Sequence, residues 1–168
     1  MKKYKAYTVV ELIITAVVIT VIASIAISPV LKDLPEHKVK NDIITIERSL
    51  KIGKSEATKT SGTVIVDFSQ ATTNNGENGG LIQIKDSEGT VLDSFFLTKN
   101  ALFNPESSTI ANNEVRFDFK GQPVDSAGST DNFTTFSNTI VISYYKDGNP
   151  IASKSLKISP VTGSVEID

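Results

Sequence analysis

The sequence contains no cysteine, no tryptophan and a single histidine, His37. The lack of cysteine excludes a disulfide framework, a thiol nucleophile and a thiolate metal site. One histidine cannot complete the usual metal or nucleophile sets, and no serine stands in a nucleophile-elbow pattern. We therefore interpret His37 as a surface residue and predict a protein that is not an enzyme and needs no cofactor.

The chain also has no excess of positively charged residues. The 168 residues carry a formal net charge of −2, and without Lys2, Lys3 and Lys5 there remain 14 basic residues against 19 acidic ones. A mildly acidic chain has no general attraction for nucleic acid. The remaining cations form no cluster with exposed aromatics, which single-strand binding requires. We therefore expect no nucleic-acid partner.

What the chain does have is one long apolar run. No residue between Leu12 and Leu31 is charged. About twenty apolar residues at 1.5 Å per residue span the roughly 30 Å hydrocarbon core of a bilayer. The basic peptide MKKYKA precedes this run, and one carboxylate, Glu11, stands near its start.

This N-terminal arrangement is compatible with several interpretations. A plain transmembrane helix would keep the lysines cytoplasmic. A secretory signal could be cut near Ser24-Ile25-Ala26. A cut between Ala6 and Tyr7 would instead leave the apolar helix on the mature protein. Glu11 distinguishes between these interpretations, because a carboxylate in an apolar helix costs a few kcal/mol and usually has a partner. The new ammonium of Tyr7 would be such a partner, within one subunit or between two.

The order Ala6-Tyr7-Thr8-Val9-Val10-Glu11 resembles the N-terminal signature of type IV pilins and pseudopilins. The resemblance implies that a prepilin peptidase cuts after Ala6 and methylates the amine of Tyr7. It also implies that Glu11, with Thr8, guides docking of the subunit into a filament. Ala6 stands where the family prefers glycine, and alanine is still small enough for processing.

Two prolines, Pro29 and Pro35, follow in the same stretch. Each removes a helical N–H group and can bend or break a helix. The sequence therefore predicts a bend or loosening between Ser28 and Glu36. Pro29 falls one residue later than the helix proline of the family.

Residues 32–62 have the pattern of an amphipathic helix that ends near Thr60 to Gly62. Its apolar stripe has a spacing of three and four residues and is expected to pack on a sheet. The stripe consists of Val39, Ile43, Ile46, Leu50, Gly53 and Ala57. The opposite, solvated face is expected to carry Lys40, Asp42, Glu47, Lys51 and Lys54.

After Gly62 the pattern predicts about seven short strands. They are expected at 63–68, 81–85, 90–97, 114–120, 139–145, 151–159 and 161–167. Val115, Phe117 and Phe119 should share one face of the fourth strand. Residues 99–112 are predicted to be irregular and 121–136 to form a long polar loop, while Asp147-Gly148 is a hairpin turn signal.

Oxygen ligands in that polar loop raise the question of a cation. Asp125, Asp131 and Asn132 could chelate calcium, and some pseudopilins bind calcium in a late loop. The spacing does not match a helix-loop-helix calcium site. We interpret Asp125 and Asp131 as part of a solvated turn and predict no metal site.

Several short segments resemble the minor pseudopilins of the GspH/FimT type. They are KSEATKTSGTVIVDF, GGLIQIKDSEGTVL, VRFDFKGQPV and LKISPVTGSVEI. That group often ends with a Ser/Thr-Gly-Arg turn before a last strand, and here Ser164 stands in place of the arginine. Another minor pilin or a major pilin with a similar β domain is the alternative.

Together these patterns predict an α+β fold with a long N-terminal helix packed on a C-terminal antiparallel β domain. The expected parts are a leader (1–6), a polymerisation helix (7–31), its amphipathic continuation (32–62) and a β-rich head (63–168). The resemblance implies a filament subunit whose partners are other pilins, the prepilin peptidase and the inner-membrane assembly platform. It would start in the bacterial inner membrane and end in a periplasmic or extracellular filament. A tip-located subunit that binds DNA or a surface, and an anchored β domain outside any filament, are the alternatives.

Overall fold

The computed structural model describes residues 8–125 and 138–167, with the backbone alone for residues 23–33. The chain divides into two compact units, Met1–Leu34 and Pro35–Asp168. A single helix, α1, runs over Val9–Thr60. It ends where Ser61 takes a φ of 52° and Gly62 donates its N–H to the Ala57 carbonyl, which confirms the predicted stop.

Nine strands follow α1 among the described residues. They are β1 (Val64–Asp67), β2 (Leu81–Asp86), β3 (Val91–Phe96), β4 (Ala101–Phe103), β5 (Glu114–Phe117), β6 (Pro123–Val124), β7 (Thr139–Lys146), β8 (Asn149–Ile158) and β9 (Val165–Ile167). Two short 3₁₀ helices, Ser69–Thr72 and Ala111–Asn113, lie between them. This helix-then-strands arrangement confirms the predicted α+β class.

The strands form two antiparallel sheets. The first has the order β3-β2-β1-β5-β6 and the second the order β4-β7-β8-β9. Strand β1 lies at the centre of the first sheet, where Val66 is paired with Ile84 on one side and Val115 on the other. In the second sheet β7 and β8 form a long hairpin. Their turn is Asp147-Gly148, with φ of 52° and 80°, so the hairpin prediction is confirmed.

One hydrophobic core joins α1 to both sheets within the unit that starts at Pro35. All six predicted stripe residues of α1 are buried. Across from them lie inward-facing residues of the first sheet, such as Val66 and Phe117, and of the second, such as Ile142. Gly53 is the point of closest approach, since a Cβ there would lie 2.6 Å from a methyl group of Val66. The helix stripe and the alternating strands therefore bury each other as predicted.

Several local predictions were wrong. Strand β4 lies in the segment 99–112 predicted to be irregular, where its buried Ala101 and Phe103 pair with β7. Strand β6 lies in the predicted polar loop 121–136. The last predicted strand, 161–167, is a turn up to Ser164, and only Val165–Ile167 is extended.

Phe119 does not share the inner face of β5. The strand ends at Phe117, and the Asp118 carboxylate accepts hydrogen bonds from the N–H groups of Lys120 and Gln122. This side-chain-closed turn leaves Phe119 55% exposed. In the sequence the apolar alternation continues to Phe119, but the turn closed by Asp118 ends the strand before that residue.

Candidate functional site

The candidate site is the start of α1. Thr8 precedes the first helical residue, and its Oγ1 accepts a hydrogen bond from the Glu11 N–H at 3.3 Å. Its carbonyl accepts another from the Leu12 N–H at 3.2 Å. A threonine hydroxyl in this position satisfies one of the helix N–H groups that have no partner within the helix. Thr8 is thus an N-cap, a role that the sequence analysis missed although Thr-x-x-Glu is a capping-box signal.

Glu11 lies in the first turn of the helix that Thr8 caps. A carboxylate near a helix N-terminus is stabilised by the partial positive charge of the exposed N–H groups. Among the side chains described between Val9 and Ile22, Glu11 is the one ionisable group. The negative charge and the N-cap are therefore concentrated at the same end of an otherwise uncharged segment.

The segment Val9–Ile22 is apolar on every side. Its large apolar side chains are each at least half exposed: Val9, Val10, Leu12, Ile13, Ile14, Val17, Val18, Ile19, Val21 and Ile22. A helix with apolar residues around its whole circumference is stable only in an apolar environment. No helix within the described residues is long and apolar enough to cross a membrane.

The hydroxyl groups of this segment are turned back onto the helix. Thr15 Oγ1 donates to the Glu11 carbonyl at 2.7 Å, and Thr20 Oγ1 donates to the Ala16 carbonyl at 2.8 Å. A threonine bonded in this way presents its methyl group outwards. Apart from Glu11, the described surface of Val9–Ile22 is therefore almost wholly hydrocarbon.

The other predicted site residues stand as follows. Ala6 and Tyr7 lie outside the described residues, as does Asp131. Pro29 and Pro35 both fall within α1, and the bend expected there stays a prediction. Asp125 follows β6 and is half-buried, and no group of three or more potential ligands is found among the described acidic and histidine side chains.

The structure corrects one residue on the amphipathic part of α1. Asp42 was predicted on the solvated face, but it is only 3% exposed. Its Oδ1 accepts hydrogen bonds from the N–H and the hydroxyl of Thr98, at 2.8 and 3.0 Å. Burial raises the pKa of Asp42, and the Thr98 bonds and the charge of Lys38 offset part of that rise. Asp42 thus ties the helix to the segment between β3 and β4.

A second carboxylate, Asp67 at the end of β1, is held in the opposite way. Its Oδ2 lies 2.6 Å from Lys85 Nζ, and its Oδ1 accepts hydrogen bonds from the N–H and the hydroxyl of Ser69. Burial alone would raise the pKa of Asp67, but the bonds from Lys85 and Ser69 and the charge of Lys85 outweigh it and lower the pKa. Asp67 and Lys85 thus form a half-buried ion pair on the first sheet.

The turn before β9 carries the Thr162-Gly163-Ser164 sequence. Ser164, where the resemblance leads one to expect arginine, places its hydroxyl 2.8 Å from that of Thr162. The Thr162 carbonyl accepts a hydrogen bond from Lys54 Nζ of α1 at 2.6 Å. A Cβ at Gly163, where φ is +62°, would lie 3.2 Å from the Phe117 ring. This turn is therefore fixed against the helix without an arginine.

Two crystal structures of the type IV minor pilin FimU of Pseudomonas aeruginosa are similar to this chain. In one crystal form the TM-score is 0.52 at 13% identity, and the match covers 79% of this chain and 90% of that one. In the other form the TM-score is 0.48 at 13% identity, with 77% and 91% covered. This chain has the minor-pilin fold. The predicted resemblance to pilins and pseudopilins is therefore confirmed at the level of the fold.

The likeness to FimU is structural rather than sequential. No family model matches the chain, and no curated protein matches it in sequence. The similarity to FimU, at 13% identity, therefore concerns the fold. Fold alone does not determine function.

Proposed function

We propose that this chain is a structural minor pilin or pseudopilin subunit of the GspH/FimT type. A prepilin peptidase would cut it after Ala6 and methylate Tyr7. The subunit would then assemble through α1 into a type IV pilus or a type II secretion pseudopilus. Its partners would be other pilin subunits, the peptidase and the inner-membrane assembly platform. We place it first in the inner membrane, with the N-terminus cytoplasmic, and then in a periplasmic or extracellular filament.

The observation that carries this proposal is the exposed apolar circumference of Val9–Ile22. Lipid can cover such a surface before assembly, and the helices of neighbouring subunits can cover it afterwards. Because lipid tails are as apolar as these side chains, exchange between the two environments depends on packing and on polar contacts. The same helix can therefore serve as an anchor and as a filament core.

Glu11 supplies the polar contact in this proposal. The ammonium group created at Tyr7 would be a partner for the carboxylate, within one subunit or across two. Thr8 supports the arrangement because its hydroxyl caps the first turn of the helix that carries Glu11. The cap fixes where the helix begins, and so places Glu11 in the first turn, four residues after the proposed new terminus in the sequence.

Mass spectrometry of the N-terminal peptide tests the proposal. The full chain is expressed with a prepilin peptidase, and the mature protein should begin at an N-methylated Tyr7. An Ala6→Gly variant should be processed to the same end, whereas a catalytically inactive peptidase should leave Met1 in place. A mature start after Ala26 would indicate a secretory signal, and an intact Met1 with active peptidase would indicate a plain membrane anchor. Either result would reject the filament function.

A further inference from the structure

Two Asn-Gly pairs lie in the loop that leads into β2. They are Asn75-Gly76 and Asn78-Gly79. Asparagine is a thermolabile residue, because the backbone nitrogen of the next residue can attack its side-chain amide. A following glycine has no Cβ and leaves this approach least hindered. In the unfolded chain the two pairs are therefore nearly equivalent, and a large difference between them can come only from the fold.

Asn75 and Asn78 face each other across a two-residue turn. The Asn75 N–H donates to the Asn78 carbonyl, and the Asn78 N–H donates to the Asn75 carbonyl, both at 3.1 Å. The turn residues between them are Gly76, with a φ of 64°, and Glu77. All four residues are exposed. Exposure to water therefore does not distinguish the two asparagines, and the difference has to lie in the glycine that follows each of them.

The backbone nitrogen of Gly79 is held in place. Its N–H donates a hydrogen bond to the Leu97 carbonyl at 2.9 Å, and Gly79 is buried. A Cβ at Gly79 would meet the Thr98 carbonyl and lie 2.7 Å from the Ala101 carbonyl oxygen, so the surrounding backbone encloses this residue. The Gly79 nitrogen can therefore turn towards the Asn78 side chain only after this segment opens locally.

The backbone nitrogen of Gly76 has no such restraint. Its N–H donates no hydrogen bond within the described part of the chain, and a Cβ built on Gly76 would have nothing within 4 Å. The neighbouring Asn74 amide, in contrast, accepts a hydrogen bond from the Asn100 N–H at 2.9 Å and donates one to Asn100 Oδ1 at 3.1 Å. The loop is thus anchored through Asn74, while the Asn75 side chain can turn towards the Gly76 nitrogen without opening of the fold.

We propose that Asn75 is a site of spontaneous deamidation in the folded protein and that the fold protects Asn78. The Gly76 nitrogen attacks Cγ of Asn75. The new N–Cγ bond forms, the Cγ–Nδ2 bond breaks, and ammonia leaves with the proton of the Gly76 N–H. Water then opens the resulting five-membered succinimide. Cleavage at Cγ gives aspartate, and cleavage at the backbone carbonyl carbon of residue 75 gives isoaspartate. Water is the co-reactant, and the reaction does not depend on assembly into a filament.

Either product changes the surface of the loop. A carboxylate at position 75 adds one negative charge to a formal net charge of −2. It lies two residues from Glu77, whose carboxylate is 2.6 Å from Lys99 Nζ. Isoaspartate also inserts a methylene group into the main chain between the two asparagines. We therefore expect the reciprocal hydrogen bonds between Asn75 and Asn78 to be lost in the isoaspartyl form.

Peptide mass spectrometry of the full-length protein in detergent tests the site. The folded protein is incubated in mildly alkaline buffer, and samples taken over time are digested after lysine and glutamate. Cleavage after Lys59, Glu77 and Lys85 places Asn75 and Asn78 on separate peptides. Deamidation changes the peptide mass by the loss of ammonia and the gain of water, and fragment ions locate the modified residue. A sample without incubation measures the deamidation caused by digestion.

We expect Asn75 to deamidate at least about tenfold faster than Asn78 in the folded protein, because reaction at Asn78 requires the Gly79 hydrogen bond to break first. In concentrated urea the two rates should become similar, since both sites are then Asn-Gly in an open chain. Gly76→Ala is the matched variant. It places a methyl group in open space but hinders the attacking nitrogen, and it should slow deamidation at Asn75 several-fold while the rate at Asn78 stays unchanged.

Equal rates at Asn75 and Asn78 in the folded protein, or a faster reaction at Asn78, would overturn the proposal. So would an Asn75 that reacts in urea but stays intact in the folded protein, because the turn would then protect it. The Asn75→Asp variant gives the chromatographic standard for the aspartyl peptide. A second, isoaspartyl product beside that standard supports the succinimide route. Aspartate alone, or an unchanged Asn75 rate in Gly76→Ala, would mean that the Gly76 nitrogen is not the attacking group.

Discussion

Asp42 and Thr98 are 56 residues apart in the sequence, and both hydrogen-bond donors of Thr98 end on one oxygen of Asp42. The other oxygen, Oδ2, is buried and has no hydrogen-bond partner among the described residues. Asp42 is thus a buried carboxylate whose acceptor capacity is half used. Its contribution to stability depends on the two Thr98 bonds.

Replacing Asp42 with alanine should therefore destabilise the fold. The change leaves the Thr98 N–H and hydroxyl without their acceptor in a mostly buried place, and we expect a loss of about 2–3 kcal/mol in the free energy of unfolding. Thr98→Val keeps the N–H bond and should lose about 1 kcal/mol. Urea denaturation at neutral pH measures both. Equal losses for the two variants would contradict the assigned role of the backbone bond.

The Asp42→Asn variant tests whether the contribution of Asp42 to stability rises or falls with pH. Because the pKa of Asp42 is raised in the folded state, its ionised form is disfavoured there. Its contribution to stability is full below its ordinary pKa and declines as pH rises through the raised value. The stability advantage of the natural protein over Asp42→Asn should thus be largest in acid and shrink towards neutral pH. An advantage that grows with pH would show that the Thr98 bonds outweigh burial.

The Asp67–Lys85 pair should respond to pH in the opposite direction. Its side chains are 14% and 22% exposed, so Lys85→Met leaves a largely buried carboxylate. We expect a loss of about 1–3 kcal/mol at neutral pH. Because the pKa of Asp67 is lowered, this stabilisation is present above its ordinary pKa and is lost as pH falls through the lowered value.

Chemical denaturation across a pH series measures the effect, and the two proteins should converge in stability at low pH. Lys99→Met is the control, since the Lys99–Glu77 pair is open to solvent. That substitution should leave the stability unchanged. A Lys85→Met deficit that persists unchanged in acid would mean that lysine packing, rather than the ion pair, is lost.

Gly80 is a position where no side chain fits. A Cβ there would meet the Ala71 carbonyl and lie 2.6 Å from the Ala71 Cα, and both atoms belong to backbone that cannot rotate away. We expect Gly80→Ala to cost about 2–3 kcal/mol. Gly62→Ala, whose nearest neighbour would be 3.6 Å away, should change stability by less than about 0.5 kcal/mol. Thermal unfolding followed by circular dichroism compares the pair.

Glu11→Ala should separate processing from assembly. If Glu11 guides docking, the variant is still cut after Ala6 but enters filaments poorly, because the carboxylate partner of the new amine is gone. Thr15→Val is the matched control, since the Thr15 hydroxyl bonds only its own helix backbone in the described contacts. Immunoblotting of sheared filaments against whole cells measures incorporation. If the Glu11→Ala variant were incorporated as efficiently as the natural protein, the docking role of Glu11 would be rejected.

The stripe of α1 could be predicted because helical periodicity is a local property. Val39, Ile43, Ile46 and Leu50 are all buried, as their spacing required. The same periodicity placed Asp42 on the solvated side and was wrong there. Asp42 borders the stripe, and it contacts the segment between β3 and β4 through its hydrogen bond with Thr98. A contact between residues 56 positions apart cannot be predicted from the periodicity of one segment.

The strands were predictable where alternation was long enough. Residues 81–86 and 91–96 pair as expected, but β4 has only three residues, too few for any period to show. Phe119 failed for another reason. Asp118 and Gly121 together are a turn signal. The sequence alone could therefore have predicted that a turn interrupts the apolar alternation before Phe119. For the candidate site, Thr8 and Glu11 are described, whereas the cut between Ala6 and Tyr7 stays a prediction.

The back-bonded hydroxyls of Thr15 and Thr20 have a consequence for partner choice. With those groups turned inwards, a neighbour that packs on Val9–Ile22 meets methyl groups at every angle and one carboxylate at one height. Such a surface distinguishes levels along the axis but hardly distinguishes one apolar helix from another. In the proposed filament, the choice among different subunits would then depend on the β domain, and the segment Val9–Ile22 would determine only how far a chosen subunit advances.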